Sequence, residues 1–76
     1  MSKYIIIMYT KITRKEEVEL VSNCLLAFED ISEWTIDLSD SDNVLRIAAH
    51  TEIGSAVHHS LNTAGVKSTL MEVFQN

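Results

Sequence analysis

Histidine and cysteine are the side chains in this sequence best suited to bind a transition-metal ion, and both can take part in catalysis. His58 and His59 are adjacent in a predicted helix, where neighbouring residues point about 100° apart. His50 is distant in sequence, and neither a Cys-x-x-Cys nor a His-x3-His spacing occurs. We therefore predict surface histidines and no metal site. A weak site for added Zn(II) or Ni(II) stays an alternative, because imidazole binds such ions readily.

The single cysteine offers little chemistry. Cys24 falls on the apolar stripe of a predicted helix, so we expect a small, inert core residue. It cannot form an internal disulfide and gives no reason to infer an oxidising compartment. No nucleophile, base and acid fall in a recognised catalytic spacing. We predict that the protein is not an enzyme and uses no cofactor.

Composition and charge limit the class of partner. Six Lys and Arg against eleven Asp and Glu give a net charge of −5, whereas binding to nucleic acid needs a basic surface. The apolar run Ile5–Met8 is too short to span a membrane, so we expect a cytoplasmic protein. A chain of 76 residues, 46% of them hydrophobic, suits one folded domain over residues 1–76.

Hydrophobic patterning predicts three elements in the first half of the chain. Tyr4–Tyr9 is rich in β-branched and aromatic residues and predicts a strand. Thr13 and Glu16 have the capping-box spacing, so a helix should begin at Thr13. Period-two alternation over Trp34–Leu38 predicts a half-buried strand. The apolar stripe of the helix is formed by Val18, Val21, Leu25 and Phe28.

Three further elements follow in the second half. Turn-favouring residues at 39–43 precede a strand over Val44–Ala49, in which Leu45 and Ile47 should point inward. Thr51 can cap a second helix and Gly65 can end it. A last strand over Val66–Phe74 has an uncertain register, because both of its faces contain apolar residues. The core stripe of the second helix is formed by Ile53, Val57 and Leu61.

The element order β, α, β, β, α, β predicts an α+β protein. The simplest arrangement is a ferredoxin-like βαββαβ sandwich, in which two helices cover one face of a four-stranded antiparallel sheet. In that topology the end of the first strand, the hairpin at Ser39 to Asn43 and the turn at Gly65 share one edge. His50 lies at the opposite edge.

One short segment points to a family. Met8-Tyr9-Thr10-Lys11-Ile12-Thr13 resembles the M-x-C-x-x-C loop of heavy-metal-associated (copper chaperone-like) domains, with Thr10 and Thr13 in place of the two cysteines. The chain departs from the family again before the second strand, where a glycine is common and this chain has Glu29-Asp30-Ile31. The later segments similar to the family are Trp34–Leu38, Asn43–Ile47 and Ala64–Lys67.

The two threonines change what this loop can bind. Soft ions such as Cu(I) are held by thiolates, whereas a threonine hydroxyl stays protonated near neutral pH and is a weak, hard donor. The Thr10 and Thr13 pair should therefore not hold a soft metal, and the loop is predicted to be a degenerate metal site. As an N-cap, Thr13 would have a structural role worth about 1 kcal/mol.

The uncovered face of the sheet is the predicted contact surface. If Tyr4, Ile6 and Met8 point to the helices, alternation sends the other residues of the first strand to the open side. Contiguous exposed apolar area marks a contact surface, so we predict docking of a partner protein or a homodimer there. Met71 and Val73 are further candidates. The predicted surface comprises Ile5, Ile7, Tyr9, Val44 and Ala48.

Three hypotheses about function follow. The first is a non-enzymatic interaction module of heavy-metal-associated type with a degenerate metal loop. The second is a metal-binding or metal-transfer protein with a weak site or a site completed by a partner, which the resemblance implies. The third is a small-molecule regulatory domain of the same topology. The sequence identifies no physiological partner or pathway.

Overall fold

The fold places four antiparallel strands beside two helices. The computed structural model describes residues 3–38 and 43–75, without the side chain of Met71. The elements are β1 (Tyr4–Thr10), α1 (Lys15–Leu25), β2 (Ile31–Ile36), β3 (Val44–Ala49), α2 (Gly54–Thr63) and β4 (Ser68–Gln75). The strand order in the sheet is β2-β3-β1-β4, so β1 and β3 are central. This is a ferredoxin-like α+β fold, as predicted.

One face of the sheet forms the core with both helices. Alternation along β1 turns Ile6 and Met8 inward, where each is fully buried. They lie opposite Ile47 and Leu45 of β3, which confirms the inward pair predicted for that strand. The helices complete the same cluster from above with Val21, Leu25, Val57 and Leu61.

The start of α1 differs from the prediction. Arg14 is the N-cap and makes no side-chain capping bond, so Thr13 lies one residue before the cap. The carboxylate of Glu17 instead accepts hydrogen bonds from the Thr13 amide at 3.3 Å and from its hydroxyl at 3.2 Å. The prediction of Thr13 as N-cap, with Glu16 as its partner, was therefore wrong by one residue.

Helix α2 begins at Gly54, later than predicted, and ends just before Gly65, as predicted. The Thr51 hydroxyl donates to Asp30 Oδ2 at 2.9 Å, and the amide of Gly54 donates to Glu52 Oε1 at 2.7 Å. Thr51 is thus not the helix cap. At the other end, Gly65 has a φ of 93°, and the amide of Val66 returns to the Leu61 carbonyl at 2.8 Å. This pairing satisfies carbonyls that the helix end leaves free.

The two edge strands each contain an irregularity that alternation did not predict. In β2 the register with β3 shifts between Ile31 and Glu33, so Ile31 and Trp34 both pack on the core although they are three residues apart. The strand therefore occupies Ile31–Ile36 rather than 34–38. Leu38 lies beyond it and is 48% exposed.

In β4 the register with β1 shifts between Ile7 and Met8. Ile7 lies opposite Glu72 and Met8 opposite Leu70, so Met71 is an additional residue in β4. Val73 consequently faces Ile6 and packs on the core. The prediction of Val73 on the open face was wrong, and the side chain of Met71 lies outside the described part of the structure.

Candidate functional site

Thr10 is the last residue of β1 and lies on its inward side. It follows Ile6 and Met8 at period two, and only 4% of its surface is exposed. A hydroxyl buried this deeply needs a partner, and Thr10 Oγ1 donates to the carbonyl oxygen of Asn43 at 2.8 Å. The hydroxyl is therefore committed to a contact within the chain.

Asn43 completes this arrangement from the residue before β3. Its φ of 46° lies in the left-handed region, which asparagine tolerates better than most residues. From this position its side-chain amide donates to the Ile12 carbonyl at 2.6 Å. Two hydrogen bonds thus join the end of β1 and the β1–α1 loop, residues 11–14, to the start of β3. As predicted, this edge also includes the turn after Gly65, because the amide of Lys11 donates to the Lys67 carbonyl at 3.1 Å.

Thr10 and Thr13 differ in burial and in their hydrogen-bond partners. Ile12 lies between them and is buried in the core with 2% exposure, whereas Thr13 is on the surface with its amide and hydroxyl directed to Glu17. A cleft of about 140 Å³ lies beside the loop, and Thr10 is not among the residues that line it. The cleft is lined by Ile12, Thr13, Arg14, Lys15, Leu38 and Asn43. Its two cationic side chains make it a poor place for a metal ion.

The histidines and the cysteine differ in burial and in the groups that they contact. His58 is half-buried, with Nδ1 3.0 Å from the Ser68 hydroxyl, while His59 and His50 are exposed. Cys24 packs at the margin of the core, and its Sγ lies 3.8 Å from the Ser60 carbonyl of α2. Over residues 3–38 and 43–75, no three His, Cys, Asp or Glu side chains converge as a metal site would require.

The other candidate region is the open face of the sheet. The register puts Ile5, Ile7 and Tyr9 of β1 on this side, with Ala48 and Val44 opposite the first and third of them. The five residues predicted for this face therefore do lie on it. Ala48 is nonetheless buried, with 4% exposure, whereas Tyr9 is 38% exposed. Their role as a contact surface stays a prediction.

Further residues of the open face were missed, and three of them are charged or aromatic. Arg46 lies opposite Ile7 on β3, and alternation from Val44 to Ala48 was sufficient to predict it. Glu72 and Phe74 of β4 lie opposite Ile7 and Ile5, and the extra residue in β4 hid them from a period-two reading. Two depressions of about 490 and 230 Å³ are both bordered by Arg46 and Thr35. The open face thus combines apolar and charged side chains.

Comparison with known proteins gives likeness in structure alone. No protein-family profile and no curated protein sequence matches the chain. A yeast copper transporter domain, CCC2A, solved in solution in apo and Cu(I)-loaded states, superposes with a TM-score of 0.78 at 13% identity, covering 91% of this chain and 96% of that one. The apo heavy-metal-associated domain of a copper chaperone for superoxide dismutase gives 0.75 at 14% identity, covering 92% and 68%.

These structures support the coarser part of the resemblance in the sequence. At sequence identities of 13% and 14%, the likeness lies in the backbone fold and gives no information on which side chains bind a ligand. In the described residues, no helix has the length and apolar character needed to cross a membrane. The chain has the βαββαβ fold that heavy-metal-associated domains also have.

Proposed function

We propose that this chain is a non-enzymatic protein-interaction module related in fold to heavy-metal-associated domains, with a loop that holds no soft metal ion. The buried Thr10 hydroxyl, donated to the Asn43 carbonyl, is the observation that carries the proposal. A residue at this position of a metal loop must offer a free, soft donor. Thr10 offers a hard donor that is already bonded inside the protein.

The surroundings of the loop support the same conclusion. The Thr13 hydroxyl is directed to a carboxylate of α1, which gives it a structural role at the helix start. Arg14 and Lys15 border the adjacent cleft and oppose a bound cation. A metal ion would have to displace hydrogen bonds and overcome like-charge repulsion, and no thiolate would offset that cost.

The distribution of reactive side chains supports a module without enzymatic activity. Catalysis by nucleophile and base requires such groups within hydrogen-bond reach and a third group that orients the base. His58 Nδ1 lies 3.0 Å from the Ser68 hydroxyl, but the other side chain at the ring in the described residues is the Asn62 amide rather than a carboxylate. Cys24 contacts a backbone carbonyl of α2. The open face offers a surface through which such a module can bind a protein partner. We propose that the chain acts in the cytoplasm.

Titration with Cu(I) under reducing conditions, competed against a chelator, tests the proposal. The wild-type chain should take up no stoichiometric Cu(I). The variant Thr10→Cys/Thr13→Cys should gain binding of one ion, because two thiolates supply soft donors at the loop. The matched control Thr10→Ser/Thr13→Ser changes the same positions but adds no sulfur, and it should behave like the wild type.

Metal transfer is the competing function, favoured by the copper-related structures that share the fold. Tight stoichiometric uptake of Cu(I) by the wild type would establish it and remove our proposal. Failure of the double-cysteine variant to bind would instead show that residues 10 and 13 are not equivalent to the cysteines of a metal loop.

A further inference from the structure

The open face has a regular layout around β1 that determines what can pack against it. The register defines three rows across the sheet, each with a β1 residue at its centre, a β3 residue on one side and a β4 residue on the other. We propose that the occupant of this face is a second copy of the chain. The two copies are related by a two-fold axis that lies over the open face, parallel to β1. This inference rests on the proposed function and names its partner.

The central row carries opposite charges on its two sides. Ile7 lies between Arg46 of β3 and Glu72 of β4, and both charged residues are exposed. Rotation by 180° about an axis along β1 exchanges the β3 side with the β4 side. Arg46 of each copy therefore meets Glu72 of the other, and the two Ile7 side chains meet at the axis. One operation forms two ion pairs, as a self-complementary interface requires.

The neighbouring rows match in size under the same rotation. Ile5 lies between Ala48 and Phe74, so the large Phe74 ring, 45% exposed, comes to lie over the small Ala48 of the other copy. In the row of Tyr9, Thr69 comes to lie over Val44, a side chain of similar size. In the row of Ile5 a large side chain thus faces a small one, which allows two sheets to pack closely.

The alternative two-fold axis, across the strands through Ile7, is disfavoured by charge. It would put Arg46 opposite Arg46 and Glu72 opposite Glu72 of the second copy. Like charges opposed in an interface strongly weaken association, so this arrangement is rejected. The charge pattern therefore selects the orientation as well as the occupant. A partner of one uniform charge would be repelled by either Arg46 or Glu72.

Mixing two charge-reversed variants tests the pairing directly. Sedimentation should show a wild-type dimer that dissociates on dilution. Arg46→Glu and Glu72→Arg should each raise the dimer dissociation constant by on the order of 100-fold, because each creates two like-charge contacts. A mixture of the two variants should recover a dimer, since the introduced glutamate would then meet the introduced arginine in one contact and the native pair would remain in the other. Native mass spectrometry should identify it as the heterodimer.

Controls separate this result from effects on folding or on total charge. Arg14→Glu reverses one charge on the loop side, away from the open face, and should leave the dimer unchanged. Circular dichroism should show all variants folded. A wild-type monomer at every concentration, or a dimer that charge reversal does not weaken, would overturn the inference. So would single variants that weaken the dimer but fail to associate when mixed. The Cu(I) titration is independent, so failure here would leave the absence of a metal site standing.

Discussion

The β1–α1 loop and the open face of the sheet use polar side chains in opposite ways. At the loop, the Thr10 hydroxyl, the Asn43 amide and the Glu17 carboxylate all bond to groups of the same chain. On the open face, Arg46 and Glu72 project from the sheet among apolar residues. The polar groups of the loop therefore stabilise the fold, whereas Arg46 and Glu72 of the sheet are exposed.

Both regions are built on the same strand. Even-numbered residues of β1 point to the helices and lead to Thr10, and odd-numbered residues lead to Tyr9 on the outside. Thr10, which we predict to replace a cysteine of a metal loop, therefore continues the core side of the sheet. With a hydroxyl at that position, the loop can close on Asn43.

The largest expected effect comes from placing a charge at the centre of the open face. Ile7→Lys should raise the dimer dissociation constant by more than about 100-fold, because two ammonium groups would meet at the axis without water. Sedimentation velocity over a dilution series measures this. Glu19→Gln, exposed on α1, changes the net charge by the same amount and should have no effect. Equal behaviour of the two variants would place the interface elsewhere.

A smaller effect is expected at the loop. Thr10→Val keeps the shape but removes the donor to the Asn43 carbonyl, and we expect it to lower the free energy of unfolding by about 1 kcal/mol. Denaturant unfolding measures the change. Thr10→Ser keeps the hydroxyl and should restore the part that comes from the hydrogen bond. If Thr10→Val is as stable as the wild type, the closed loop has another cause.

The smallest effect concerns the start of α1. Glu17→Ala removes the acceptor for the Thr13 amide and hydroxyl and should cost about 0.5 kcal/mol more than Glu16→Ala, since both glutamates lie in the first turn but Glu17 makes these contacts. Denaturant midpoints of the two variants provide the measurement. A larger loss for Glu16→Ala would favour the capping box predicted from the sequence.

Sequence patterns were sufficient where the backbone is regular. β3 was predicted with its observed bounds, and its register with β1 runs without a shift from Val44 to Ala49. Gly65 was predicted as the end of α2 because a left-handed residue there favours glycine. The two edge strands were predicted less well, since the irregularities near Ser32 and Met71 break the period of two on which such predictions rest.

The chemistry of the loop was predicted only in part. The replacement of cysteine by threonine predicts weak affinity for soft metals, and this stays a prediction. The hydrogen bond from Thr10 to Asn43 joins residues 33 positions apart, and no local sequence pattern encodes such a contact. The equivalence of Thr10 and Thr13 to the cysteines of a metal loop stays a prediction.

The extra residue in β4 also affects how this surface can evolve. Leu70 approaches Gly54 of α2 and Val73 packs beneath the same helix layer, so the strand contributes to the interior on both sides of the irregularity. Deleting Met71 would leave Leu70 and Glu72 opposite the consecutive residues Met8 and Ile7, so both halves of the strand would keep their faces. Deleting Glu72 instead would also give a regular strand, but with residue 71 opposite Ile7. The choice of which codon is lost would thus decide whether the outer surface keeps its carboxylate, while β1, β2 and β3 stay untouched.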